Sequence, residues 1–391
     1  MRVTARKALT LFLICFAASA TGFAQTRKHV KQQPAKRPIG QQPAAAKSRD
    51  MLEMVFVLDT TGSMGGLIEG AKQRIWGIIN EVMQKPSKPR VKVGLVAYRD
   101  NGDAYVTKIQ PLTEDLDKAY TTLMDYRADG GGDEPENVRK ALVDGVRNAG
   151  WSKPGANLAQ IVFLVGDAPP QEYQQEPDVL VTTAEAVRKD MIVNTIQCGS
   201  SGSTRQIWQT IAQRGEGKFF AIAQDGGVAA ISTPYDKRLA ELALKVGQTY
   251  VTYGDAKTRE ENLNSQQMAD LTIARRAPMG AQAERAVNKA VNSFQYDGDL
   301  VQDVENNKVK IEDVKKDNLP ADLQKMTLAQ RKAEIDRRIA ERQRMRAEIL
   351  ALSKKRDAYI QTERAKAGKQ AGFDAAVGQA LREQLLRRGI K

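Results

Sequence analysis

The chain has 391 residues, 41% of them hydrophobic and 27% charged, with a net charge of +13 and a pI near 9.5. That composition is ordinary for a soluble protein, and the length leaves room for two domains or for one domain with long appendages. The basic excess favours anionic partners in general but is no evidence for nucleic acid by itself.

The N-terminus, "MRVTARKALTLFLICFAASATGFAQT", carries Arg2, Arg6 and Lys7 ahead of an apolar run from Ala8 to about Ala20. "GFA" before Gln25 is an acceptable small-residue cleavage site, so residues 1–24 read as a secretory signal peptide. The run is shorter than the roughly 20 residues a spanning helix needs. No small residue precedes Cys15, which argues against a lipoprotein anchor. Cleavage removes Cys15 and leaves Cys198 alone, so the mature chain has no internal disulfide. The expected location is secreted or periplasmic, in a bacterial envelope. Residues 25–50 are rich in Gln, Pro, Ala and basic residues without hydrophobic periodicity, the pattern of a disordered basic linker. His29, the chain's single histidine, falls there and reads as solvated.

From residue 51 to 235 short apolar runs alternate with amphipathic stretches. "MVFVL" is a strand. "LIEGAKQRIWGIINEVM" sets Ile68, Ala71, Ile75, Ile78 and Val82 on one helical face and stops at Pro86. "VKVGLVAYR" is a strand, "DNGD" a turn, and "YVTKI" its antiparallel neighbour. "TEDLDKAYTTLMDY" and "PENVRKALVDGVRNA" are helices, the second with Pro135 in its first turn and Asp133 placed to cap it. "AQIVFLV" is a buried strand, "EPDVLVTTAEAVRK" a helix, "MIVNTIQC" a strand, "TRQIWQTIAQR" a helix and "GKFFAIA" a last strand. Continuous Val/Ile/Leu runs between helices predict a doubly wound, mostly parallel α/β sheet with one antiparallel edge strand. Cys198 reads as a core thiol, and Trp76, Trp151 and Trp208 as packing residues.

Residues 236–320 read as a helical and mixed connector with a break near Pro278. Residues 321–391 read as a long basic helical tail. Leu328, Ile335, Ile339, Ile349, Leu352 and Ile360 form an apolar stripe, which Arg338, Arg342 and Arg346 interrupt. The tail thus resembles a coiled coil without a strict heptad and offers a route to a homo-oligomer. Its charges read mainly as a solvated face, with an anionic envelope surface as an alternative target. Without interleaved aromatics, nucleic acid is not expected.

Two buried strands end in aspartate, at Asp59 in "MVFVLD" and at Asp167 in "IVFLVGD". Ligands of open α/β sheets bind beyond the carboxyl ends of the strands. Asp59, Thr61 and Ser63 alternate, so one loop can aim all three side chains the same way. Between the two strands lies a glycine-rich loop, "ADGGGDEPE", with Asp133 before a helix. Carboxylate and hydroxyl oxygens are ligands for a hard dication, and without thiol or imidazole zinc is disfavoured.

"DTTGS", from Asp59, resembles the D-x-[ST]-x-S metal-ion-dependent adhesion site of von Willebrand factor type A domains. The likeness spans residues 51–235 and is reinforced by "FLVGDAPP", where Asp167 matches the aspartate after the fourth strand. It implies that Asp59, Thr61, Ser63 and Asp167 hold Mg²⁺, or Ca²⁺ or Mn²⁺, and that the ion takes a partner's carboxylate. Many such domains carry a threonine in the middle loop. This chain offers "GGGDEPE", where Asp133 stands for that position with Glu134 behind it. "YRDNGD" also resembles some members, with Arg99 and Asp100 as supporting residues. For Asp133 the reading as a helix cap stays beside the reading as a ligand.

These readings predict an exported, non-enzymatic, metal-dependent adhesion or scaffold module that binds a protein partner through its Asp or Glu. The alternatives are a metal-dependent phosphoesterase-like hydrolase of the cell envelope and a structural coiled-coil protein with a vestigial domain. Against the hydrolase stands the lack of a general base other than more carboxylates.

Overall fold

In a computed structural model, residues 50–131, 136–225, 231–367 and 373–390 are described. The signal-peptide and linker readings, with Cys15 and His29, lie outside these residues, as do Asp133, Glu134 and Pro135. Six strands form one sheet in the order β3-β2-β1-β4-β5-β6. They are β1 (Met51–Asp59), β2 (Arg90–Tyr98), β3 (Thr107–Thr113), β4 (Leu158–Gly166), β5 (Met191–Cys198) and β6 (Glu216–Ile222). β1 pairs in parallel with both β2 and β4, and only β3 runs antiparallel, along the β2 edge.

Alternation along β1 builds both layers. Leu52, Met54, Phe56 and Leu58 face one cluster with α1 (Gly65–Met83) and α2 (Leu116–Asp125). Val55 and Val57 face the other with α3 (Val138–Arg147), α4 (Val179–Arg188) and α5 (Gly202–Arg214). A strand buried on both faces must be apolar at every position, which is why these strands read as unbroken Val/Ile/Leu runs. α3 starts later than its sequence suggested. Its N-cap is Asn137, whose side chain accepts from the Lys140 amide at 2.9 Å. The cap reading of Asp133 is therefore corrected: the cap lies four residues further on.

Beyond the sheet come α6 (Asp236–Gln248), α7 (Ala256–Arg276), α8 (Met279–Val291), α9 (Leu300–Glu305), the short α10 (Ala321–Gln324) and α11, 40 residues from Leu328 to Ala367. The break at Pro278 separates α7 from α8 as read. α11 lies against α6, α8 and α9 of its own chain, burying Ile335 and Ile349. The arginines that interrupt its apolar stripe are not all solvated. Arg342, with 0% exposure, pairs with Asp299 at 2.7 Å, and Arg346 pairs with Glu305 at 2.8 Å. The last helix, α12 (Phe373–Arg387), then returns to the sheet. Phe373, Val377, Leu381 and Leu385 join the cluster of Phe56 and α1, and Gln384 and Asn194 of β5 exchange amide hydrogen bonds at 2.6 and 3.0 Å. Among the described residues no helix is long and apolar enough to cross a membrane.

Candidate metal centre

Strand order reverses at β1 and β4, and the carboxyl ends of these two strands open a crevice at that point. β1 delivers Asp59 there, fully buried. Its Oδ1 accepts from the Thr61 amide at 2.9 Å and the Thr61 hydroxyl at 2.7 Å. Its Oδ2 is buried without a hydrogen-bond partner. Burial, with Asp167 adding, pushes this carboxyl up to about 7, against the hydrogen bonds from Thr61 that favour its anion.

The loop is pinned so that its side chains alternate. Thr60 points away, donating its hydroxyl to Tyr98 O at 2.8 Å. Thr61 points inward, and its Oγ1 lies 3.5 Å from the Ser63 hydroxyl. Ser63 sits exposed in the short turn Gly62–Met64 that leads into α1. The middle loop is tied to this one by Gly62 N–H on Gly130 O (3.1 Å) and Asp129 N–H on Thr60 O (3.1 Å). Arg99 clasps both, donating to Thr60 O and Arg127 O. Asp100 accepts from the Tyr173 hydroxyl at 2.7 Å. Both residues thus support the loops, as their motif suggested.

Asp167 follows β4. Its Oδ2 accepts from Gln224 Nε2 at 2.6 Å, and the same amide reaches Ser63 O at 3.3 Å. Gly166 is required here, since a Cβ on it would lie 2.3 Å from the Tyr98 hydroxyl and 3.1 Å from Asp59 Oδ2. The structure therefore brings Asp59, Thr61, Ser63 and Asp167 to one rim. Two residues escaped the sequence reading. Gln224 could not be foreseen, since it lies in a loop after the last strand. Glu136 was visible in "GGGDEPE" but stands behind the position chosen. It is 3% exposed, its Oε2 has no partner, and burial with Asp59, Asp100, Asp103 and Asp167 pushes it up to about 8. Cys198 is buried at the end of β5, and burial together with Asp167 and Asp59 drives its thiol far above the usual range, as befits a core residue.

The donors here are carboxylate and hydroxyl oxygens, and Asp59 Oδ2 is a buried carboxyl oxygen with only the Tyr98 hydroxyl beside it. That set fits a hard dication. Among the described residues no three His, Cys, Asp or Glu side chains group closely enough to enclose an ion by themselves.

Residues 53–234 match the family model described as "von Willebrand factor A domain". This segment is a von Willebrand factor A domain. "von Willebrand factor A domain-containing protein 7" of mouse is 33% identical over 129 residues, 33% of this chain and 13% of that protein. The human protein of that name is 34% identical over 125 residues, 32% of this chain and 13% of that protein. The chain thus matches only a small part of the length of these relatives. Among solved structures, the conserved hypothetical protein BatB from Bacteroides thetaiotaomicron aligns at 16% identity and a TM-score of 0.34, over 44% of this chain and 90% of that one. The SpRpn10 VWA domain aligns at 14% identity and a TM-score of 0.34, over 45% and 89%.

Proposed function

We propose that this chain is an exported, non-catalytic protein-binding module whose von Willebrand factor A domain works through a divalent cation at its sheet rim. The observation that carries the reading is Asp59 Oδ2, a fully buried carboxyl oxygen that closes no well-formed hydrogen bond among the described residues, flanked by hydroxyls and a second carboxylate. Asp59, Thr61, Ser63 and Asp167 are the residues to hold the ion, with Asp133 of the middle loop as a further ligand. Bound there, Mg²⁺ or a similar ion supplies a positive point that attracts an Asp or Glu of a protein partner. The chain's own residues set the site beforehand. Thr61 fixes the rotamer of Asp59, Gln224 steadies Asp167, and Arg99 holds the two loops in register. The N-terminal pattern supports export to the bacterial envelope, and the basic C-terminal helices offer a surface for anionic envelope polymers or a second copy.

Thermal melts of the full chain in EDTA and in excess Mg²⁺, Ca²⁺ or Mn²⁺ test the cation. A ligand at a hundred times its Kd stabilises by about 2.7 kcal/mol. A rise in Tm that Asp59→Ala abolishes is the expected result, and wild-type protein indifferent to all three ions refutes the site. Crosslinking in cells with wild type and Asp59→Ala tests the partner; capture that survives the substitution sinks the adhesion mechanism.

A further inference from the structure

Glu136 is positioned by main chain on both sides. Its N–H donates to Pro169 O at 3.3 Å and its carbonyl accepts from the Gln171 amide at 2.8 Å, so it is bridged to the segment that follows Asp167. The next residue, Asn137, caps α3 and donates to Asn101 Oδ1 at 3.1 Å. The side chain and Thr61 flank the same glycine. A Cβ built on Gly131 (φ +73°) would lie 3.2 Å from Glu136 Oε1 and 2.9 Å from Thr61 Cβ. Only glycine leaves room for both and adopts that φ readily.

A carboxylate so held, with Oε2 buried and partnerless, costs several kcal/mol unless a cation or donor meets it. Its charged neighbours, Asp59, Asp100, Asp103 and Asp167, all repel it. The guanidinium at this rim, Arg99, is engaged by Thr60 O, Arg127 O and Asp129. A rigid, buried carboxyl group among acidic neighbours marks a place suited to positive charge.

We propose that Glu136 is an outer-sphere anion of the cation site, acting on the ion through its hydration while Asp59, Thr61, Ser63 and Asp167 provide the inner oxygens. This rests on the cation reading above. The outer position is assigned because Glu136 reaches the rim past Gly131, across from Thr61, while Asp59, Thr61, Ser63 and Asp167 already offer four inner oxygens. Its consequence is electrostatic. Asp59, Glu136 and Asp167 set three negative charges against a dication, so the ion is retained firmly yet the rim stays negative. A partner's carboxylate is then drawn in only when Lys or Arg flanks it.

The test is calorimetric titration of Mn²⁺ into the full chain as wild type, Glu136→Gln and Glu136→Asp, with circular dichroism to confirm folding. Loss of an outer-sphere partner weakens metal affinity by roughly 10- to 100-fold, and that is expected for Glu136→Gln. Glu136→Asp keeps the charge and is expected to lose less than about tenfold; it also serves if Glu136→Gln does not fold. Acetate, as a bare carboxylate probe, should bind Mn²⁺-loaded Glu136→Gln more tightly than Mn²⁺-loaded wild type. Wild-type Mn²⁺ affinity in Glu136→Gln, a loss in Glu136→Asp as large as about 10- to 100-fold, or equal or weaker acetate binding overturns the proposal. Wild-type protein that takes up no Mn²⁺ overturns the cation reading beneath it.

Discussion

Gly166 shows how tightly single residues are specified at the rim. Its missing Cβ leaves space for the Tyr98 hydroxyl and Asp59 Oδ2 together. Gly166→Ala overpacks that point and should cost about 1–3 kcal/mol, read as a lower urea midpoint, and should blunt any Mg²⁺-induced rise in Tm. Asp115 makes a prediction about pH. It caps α2 by accepting from the Lys118 amide at 3.0 Å, yet burial, with Asp117 and Asp297 adding, pushes its carboxyl up to about 6. An unfolded aspartate titrates near 3.9. The folded chain therefore holds this proton more firmly, and its contribution to stability declines as pH rises from about 4 to about 6. Asp115→Asn keeps an oxygen for the cap and removes the charge. It should flatten that decline and raise stability at pH 7 by on the order of 2 kcal/mol, measured by urea melts at pH 4 and pH 7. Unchanged pH dependence would contradict this account of Asp115.

At the scale of elements, α11 is a seam inside the chain. A helix read alone, with arginines across its apolar stripe, looks unable to bury that face. The acidic groups that permit it come from elsewhere: Asp299, which caps α9, and Glu305 at its end. Arg342 also donates to Thr249 Oγ1 at 2.8 Å, fastening α11 to the end of α6. Removing one partner of a buried ion pair strands the other charge. Arg342→Ala should therefore cost about 3–5 kcal/mol in chemical denaturation. The double change Arg342→Met with Asp299→Asn should recover much of it, because neither charge is then left alone. A loss below 1 kcal/mol for Arg342→Ala would show that α11 is held by its apolar contacts alone.

For the whole molecule, the return of α12 decides where the domain ends. The family match stops at residue 234, yet the helix that covers the sheet beside α1 arrives from residues 373–387. Phe373, Val377, Leu381, Leu385 and Ile390 are each at most 2% exposed. At about 1.5–3 kcal/mol for each buried side chain, they contribute on the order of 10 kcal/mol before entropy, comparable to the whole net stability of a domain. A fragment of residues 48–235 should therefore aggregate or melt without cooperativity, while residues 48–391 unfold cooperatively; circular dichroism melts of the two decide it. A soluble, cooperative short fragment would show that α12 is dispensable.

The sequence by itself determined the layered α/β architecture, the antiparallel edge strand and the placing of Asp59, Thr61, Ser63 and Asp167 at strand ends. Those features follow from local alternation, from runs buried on two faces and from where such runs stop, all readable over a few residues. Only the tertiary structure decided that Glu136 and Gln224 join the rim, that Asn137 caps α3, that Arg342 and Arg346 point inward, and that the C-terminal helix closes the sheet. Apart from the local Asn137 cap, these depend on partners brought from far along the chain, as in the pairing of Asn194 with Gln384 across 190 residues. Periodicity says which face of an element must be covered, but the covering segment is chosen by packing and charge in three dimensions.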